Sequence, residues 1–304
     1  MQAEFDSLRN FDFSQATAHL WVFKKSASSK KYSAYHVQAD NDLTSMLKNL
    51  IRSEMTRITE FSPYSYLAQT NENGCLATNQ EGTDFSFLKV QVDRPEPECR
   101  ARDIKDLKGA TGYLVKFKIG EQTIYAVKRS SSSWKTSYPK KFINMIYSNG
   151  ELSAAEDNAF AIERNFDFFC NGSAIFIANK LSFESTMQYR ILYEQVFTAL
   201  QTTPSFSSLF NDMAPLIAYV GSNSTHLRRM ATVQEKNLYG NPSFLASLQV
   251  VSVRRGWNIN FDTATGKIIA CQGTAKDILQ VLLDHRLMSE VTEYVYDVPD
   301  AVQL

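Results

Sequence analysis

Residues 112–129 read GYLVKFKIGEQTIYAVKR. Tyr113, Val115, Phe117 and Ile119 alternate with Leu114, Lys116 and Lys118, the period-two pattern of a half-buried strand. Gly120 and Glu121 supply a turn, and the chain returns over Thr123–Lys128. The same grammar recurs twice further on. Asn149-Gly150 and Asn171-Gly172 each stand between apolar segments, and both residues of an Asn-Gly pair tolerate the positive φ of a tight hairpin turn. Phe142–Ser148 is therefore expected to pair with the chain from Leu152, and Phe166–Cys170 with Ser173–Ala178. The expected fold is α/β with an α+β tendency: a mixed, largely antiparallel sheet built from hairpins, with flanking helices.

Upstream, His19–Lys24 and Tyr32–Gln38 are aromatic and β-branched, and read as two strands around the lysine-rich turn Lys24–Lys31. Leu43, Met46, Leu47, Leu50, Ile51 and Ile58 then recur at helical spacing, with Asp40 or Asn41 placed to cap. Thr70–Asp84 reads as loop or a weak hairpin, and Arg94–Glu98 (RPEPE) as a breaker. A boundary there gives a small strand-strand-helix module over 1–98 and a larger sheet-plus-helix domain over 99–304.

Downstream the pattern turns helical. Phe183, Met187, Ile191, Val196 and Leu200 mark one long amphipathic helix after Ser182. Thr225–Asn237 and Ser243–Val253 read as two more, split by Gly240-Asn241-Pro242. Trp257–Phe261 and Lys267–Ala270 suggest a small hairpin, and Thr274 with Asp277 suggests a capping box opening a last helix. The apolar, proline-interrupted stretch Phe206–Val220 is long for a surface connection. It is either core or a surface that makes the chain a homo-oligomer.

The sequence offers little recognisable chemistry. The glycine-rich phosphate loops, the HExxH helix and the GxSxG elbow are missing. The four cysteines form no CxxC pair and have four histidines to join them, so they read as reduced thiols packed as small hydrophobes rather than zinc ligands. Asp103-Ile104-Lys105 has the residue types of a nuclease hairpin, but sits in a polar segment that looks like a helix start. Asp167 lies in an aromatic strand and His36 stands alone on one face of another, so a structural role is expected for both. His226 opens a helix beside Arg228 and Arg229, within reach of a phosphate. No catalytic residue, metal or cofactor is assigned. The acidic N-terminus lacks an apolar run and no uncharged apolar stretch reaches bilayer length, so a cytoplasmic protein is expected, with any membrane role supplied by a partner.

Charge is more informative. Formal net charge is zero, from 32 basic and 32 acidic residues, which excludes a uniformly basic coat. Between Lys108 and Lys141, however, eight basic residues face one acid, Glu121. Lys128, Arg129, Lys135, Lys140 and Lys141 in that run surround a serine-rich, Trp134-bearing segment, the mixture that contacts phosphate and stacks on bases. Between Gly221 and Gly256, Arg228, Arg229, Lys236, Arg254 and Arg255 face only Glu235, whereas the segment from Asp284 onward is acidic. Concentrated positive charge favours a nucleic-acid backbone. The competing reading is that these lysines coat the solvent face of a sheet.

Three segments together resemble a known family: Gly112–Arg129 above, Phe142–Leu152 (FINMIYSNGEL) and Ile162–Arg190 (IERNFDFFCNGSAIFIANKLSFESTMQYR). The most specific parts are Phe166-Asp167-Phe168-Phe169, Asn171-Gly172, and Asn179 through Phe183-Glu184. The pattern is similar to the KwaB subunits of the Kiwa anti-phage defence system, a family named as a domain of unknown function. The resemblance covers about the second two-thirds of the chain. It implies a DNA-binding effector without turnover that works with KwaA, a small integral membrane protein, and assembles as oligomers at the inner membrane on phage DNA. It carries over no contact residues, so the candidate DNA-binding set rests on charge: Arg228, Arg229, Arg254, Arg255, Lys128, Arg129, Lys135, Lys140 and Lys141. Two alternatives stay open: a metal-dependent nuclease using Asp167, Glu184 and Lys180, and a scaffold or adaptor for membrane sensing.

Overall fold

The computed structural model describes residues 1–25, 32–80, 85–107, 109–129, 145–148, 151–154, 163–288 and 295–297. They divide into two units, Met1–Tyr64 with Gln69–Met187, and Ser65–Ala68 with Gln188–Leu304. The expected boundary at 98/99 falls inside the first unit.

The first unit opens with α1 (Gln2–Arg9), β1 (Thr17–Lys25), β2 (Tyr32–Val37), α2 (Asn41–Arg57), β3 (Glu60–Pro63) and β4 (Gly74–Asn79). The short helices α3 (Phe85–Val92), α4 (Glu96–Cys99) and α5 (Ile104–Leu107) follow. Three hairpins come next: β5 (Gly112–Ile119) with β6 (Gln122–Arg129), β7 (Met145–Ser148) with β8 (Glu151–Ala154), and β9 (Phe168–Asn171) with β10 (Ala174–Ile177). Helix α6 (Lys180–Thr186) closes the unit. Gly120 and Gly172 take φ of +55° and +58° in their turns, where a side chain would be strained.

Eight strands form one sheet in the order β2-β1-β5-β6-β9-β10-β4-β3. Every pairing is antiparallel except β3 with β4. Strand β5 was expected to be half-buried, but Leu114 is as enclosed as Val115. The reason is a layer on each face. Phe5 and Leu8 of α1 and Leu47 and Ile51 of α2 join Val115, Phe117, Phe169 and Phe176 on one side. On the other, Phe85 of α3 packs edge-on against Tyr125 and Phe168, and Phe168 packs against Phe183 of α6. The loop expected over Thr70–Asp84 contains β4, a buried strand of this sheet. It is short, and Gly74, Thr78 and Asn79 dilute its apolar signal. The cap on α2 is Asp40, whose carboxylate accepts from the Leu43 amide at 2.8 Å.

The second unit contains α7 (Tyr189–Thr202), α8 (Pro204–Ser207), β11 (Phe210–Asp212), α9 (Ala214–Val220), α10 (Ser224–Lys236), α11 (Phe244–Arg255), β12 (Asn260–Phe261), β13 (Ile268–Ile269), α12 (Ala275–Leu282), β14 (Arg286–Met288) and β15 (Val295–Asp297). The expected hairpin is present as β12 and β13, and β11 adds to it in parallel. The Thr265 amide, the Asn211 side chain and the Ala264 amide donate to the Asp262 carboxylate in the turn and hold it down to about 2. Phe206, Leu209, Phe210, Leu216 and Val220 are buried, so the apolar stretch over Phe206–Val220 is core.

Two helix predictions need correction. The long helix after Ser182 is two, because Gln188 adopts φ 58°, ψ 28° and ends the ladder between α6 and α7; Asn179, not a later residue, caps the first. Thr274 makes no capping-box exchange with Asp277. Its hydroxyl accepts from the Cys271 amide at 3.0 Å, and Asp277 pairs with Arg286. Of the cysteines, Cys75, Cys99 and Cys170 are buried as expected and Cys271 is exposed. Burial pushes the Cys75 thiol up to about 12.

Gly112 begins β5 where a Cβ would lie 2.4 Å from both the Lys128 carbonyl oxygen and the Phe23 ring. Gly112→Ala is expected to destabilise the fold by about 1–3 kcal/mol through overpacking. Chemical denaturation checks this, and an unchanged midpoint would contradict the packing described.

Candidate nucleic-acid interface

The basic hairpin β5–β6 distributes its charge unevenly. Lys116 is half-buried and its Nζ lies 2.7 Å from the Asp93 carboxylate, while Lys118 is exposed. Lys128 is only 4% exposed, and it reaches Glu163 at 2.6 Å and Asp167 at 3.1 Å. Its charge is therefore directed inward. Arg129, one residue on, is exposed, and its backbone amide donates to the other Asp167 oxygen at 2.7 Å. Arg129 also lines a cavity of about 280 Å³ with Lys25, Tyr32, Thr111, Ser185 and Thr186. Lys135, Lys140 and Lys141 lie outside the described residues.

Asp167 has no exposed surface. Its backbone carbonyl accepts from the amides of Ala178 and Asn179, and its own amide donates to Val127. Burial pushes its carboxyl above the ordinary value, while the Lys128 charge and the Arg129 amide pull it back. The residues considered for a nuclease are arranged differently from a metal site. Both Asp167 oxygens are engaged, Lys180 lies one turn from Glu184 at 3.9 Å, and the Tyr64 hydroxyl donates to Glu184 at 3.1 Å. Asp103-Ile104-Lys105 is a helix start, with the Asp103 carboxylate accepting from the Lys105 amide at 2.8 Å.

In the second unit, Asn223 accepts from the Thr225 and His226 amides and so occupies the N-terminus of α10. Arg228 and Arg229 lie a turn further on, both half-buried, with the Arg228 guanidinium 6.0 Å from the Tyr193 ring centre. His226 is stacked on Tyr219, ring centres 4.5 Å apart, and bonds the Tyr219 carbonyl. Arg254 and Arg255 are exposed on the last turn of α11, ahead of Gly256 at φ 62°. Cations there also complement the helix dipole. Asp277 is taken by Arg286, which additionally lies over Trp257 at 5.2 Å. The exposed Val250 and Val253 precede the Arg254–Arg255 pair on the same helix.

One grouping was missed in the sequence. His36 is not alone: Glu96 reaches it at 3.5 Å and His19 at 2.6 Å. Burial, with smaller effects of His19 and Arg100, lowers the His36 imidazole against the opposing pull of Glu96. His19 and His36 occupy same-face positions on consecutive strands, which strand periodicity could have revealed. Glu96 arrives from sequence read only as a breaker.

A family model described as Kiwa protein KwaB-like matches residues 107–292. No curated protein and no solved structure matches the chain.

The Lys128–Asp167 pair gives a pH-dependent prediction. In Lys128→Met the buried carboxylate loses its countercharge, at an expected cost of about 3–5 kcal/mol near neutral pH. The folded carboxyl is then raised further above its unfolded value. The folded state holds the proton more tightly, so stability is lost as pH rises through that window and regained as it falls. The deficit against wild type should therefore shrink as pH is lowered from neutral in paired thermal melts. A deficit that is constant with pH would show that the Asp167 charge does not govern it.

Proposed function

The chain belongs to the Kiwa protein KwaB-like family, and from that membership we propose that it is a non-catalytic DNA-binding effector of anti-phage defence acting with a KwaA-like integral membrane subunit. The observation that carries the DNA part is the pair of arginine doublets, Arg228–Arg229 and Arg254–Arg255, on a chain of zero net charge. Arginine forks pair phosphate oxygens bidentately, and neutralised phosphates release counterions. Arg254 and Arg255 are exposed, and exposed Arg129 adds a contact on the first unit. Lys135, Lys140 and Lys141 remain part of the proposed surface on charge alone. Lys128 is not counted among the contacts, because its ammonium is already paired.

No helix among the described residues is long and apolar enough to cross a membrane, and the reading assigns attachment at the inner membrane to the partner subunit. It also includes a homo-oligomer. Since Phe206–Val220 is consumed by the core, the surface that suits self-association is α11 around Val250 and Val253.

The test is filter binding of the full chain to unrelated duplexes. Affinity should fall steeply between about 50 and 200 mM salt and vary little with sequence. Arg254→Ala/Arg255→Ala should flatten the salt slope by about one unit per lost phosphate contact, with Arg229→Ala acting in the same direction. Lys118→Ala, an exposed charge outside the set, should leave the slope unchanged. Salt-independent affinity, or a Lys118 variant as damaged as the arginine double variant, would overturn the assignment. Plasmid cleavage with Mg²⁺ or Mn²⁺ would favour a nuclease, and retention on anionic vesicles without DNA binding would favour an adaptor.

A further inference from the structure

We propose that His19, His36 and Glu96 form a binding site for a divalent transition metal of the zinc and cobalt class. The geometry begins with the β1–β2 ladder, in which Leu20 faces Val37 and Trp21 faces His36. His19 is two residues from Trp21, so its side chain shares a face with His36 on the neighbouring strand. The two imidazole centres are 6.1 Å apart. Strand β2 is the outermost of the sheet, and the chain after α4 bridges its free edge: His36 pairs with Arg100, and the Ala101 amide donates to the His36 carbonyl at 2.8 Å. That bridge fixes α4 beside the strands and brings Glu96 to both rings. One Glu96 oxygen lies 2.6 Å from His19 Nδ1, and the other 3.5 Å from His36 Nε2.

One ligand atom from each residue falls within 4.8 Å of the other two. Tetrahedral coordination with zinc bonds of about 2.0–2.1 Å spaces donors about 3.4 Å apart, so closure takes shifts of about 1 Å in side chains that retain some freedom. The side chains are 32%, 14% and 36% exposed, which combines a seated ligand, His36, with an entry path. Trp21 packs edge-on against His36 at 5.3 Å and holds its ring. Two imidazoles and one carboxylate are a common three-ligand set for zinc, with the fourth position left to water. Nitrogen donors disfavour Mg²⁺ and Ca²⁺, which take oxygen. Arg100 stands against a cation here, but its guanidinium is engaged by the Gln38 side chain. A bound metal would staple α4 to the sheet edge, so its binding free energy would appear as stability of the first unit.

The experiment uses the full chain stripped with EDTA and titrated with Zn²⁺ or Co²⁺, read by thermal melting and by the visible absorption of bound Co²⁺. One ion per chain should bind and raise Tm, and Mg²⁺ or Ca²⁺ should not. His19→Asn and Glu96→Gln replace partly exposed side chains, and each should weaken binding at least tenfold and alter the Co²⁺ spectrum. Cys271→Ser removes the exposed thiol as a rival ligand and should bind as wild type. The proposal is overturned if wild type binds neither ion at about 100 µM. It is equally overturned if the folded His19 and Glu96 variants keep wild-type affinity and spectrum, or if Cys271→Ser abolishes binding.

Discussion

A carboxylate without exposed surface ties together the segments around the middle of the sheet. Asp167 receives the Lys128 ammonium and the Arg129 amide from the end of β6, and its backbone carbonyl receives two amides from the chain that leaves β10 for α6. Burying a charge is costly unless it is paired and its remaining lone pairs are satisfied. Here both oxygens are used, so the cost is offset only in one register of β6 against β9. A one-residue slip would turn Lys128 to the opposite face and leave Asp167 without its countercharge. The pair thus acts as a register lock in a sheet whose apolar residues, buried on both faces, specify register weakly by themselves.

The sheet places that lock near its centre. The family match begins at residue 107, and the sheet strands it contains are β5, β6, β9 and β10, four neighbours in the middle. The first hundred residues provide β2 and β1 on one side and β4 and β3 on the other. They also provide α1 and α2, whose apolar faces cover the central strands. The N-terminal residues thus share one sheet and one compact unit with the family-matched strands. They occupy both edges, where unpaired backbone groups would otherwise invite association.

This explains which parts of the fold were legible in sequence. Hairpins closed by Gly120 and by Asn171-Gly172 depend on local turn chemistry, and they were read correctly. Strand β4 pairs with β10, about a hundred residues away, and its role is set by that partner rather than by its own Gly74–Asn79 pattern. The apolar periodicity over 183–200 runs through the break at Gln188, because periodicity registers which side chains are buried and not whether the backbone ladder is continuous. Thr274 and Asp277 had capping-box spacing, but Arg286, nine residues beyond Asp277, competes for the carboxylate. The His19–His36–Glu96 grouping escaped for the same reason as β4. Its third member comes from a segment whose position depends on a bridge to the sheet edge.

Charge illustrates the difference between composition and placement. The basic run from Lys108 to Lys141 looks stronger than the four arginines of the second unit when residues are counted. Folding changes that comparison, since Lys128 is committed to Asp167 and Glu163, and Lys116 to Asp93. An ammonium held by a carboxylate contributes little net field to an approaching phosphate, and recruiting it would strand the acid it leaves. Arg254 and Arg255, by contrast, are exposed. They stand on the last turn of α11, where the helix carbonyl ends already favour positive charge. Charge counted along the sequence therefore overstates what the β5–β6 hairpin can present at its surface, because two of its lysines are paired with acids of the same unit.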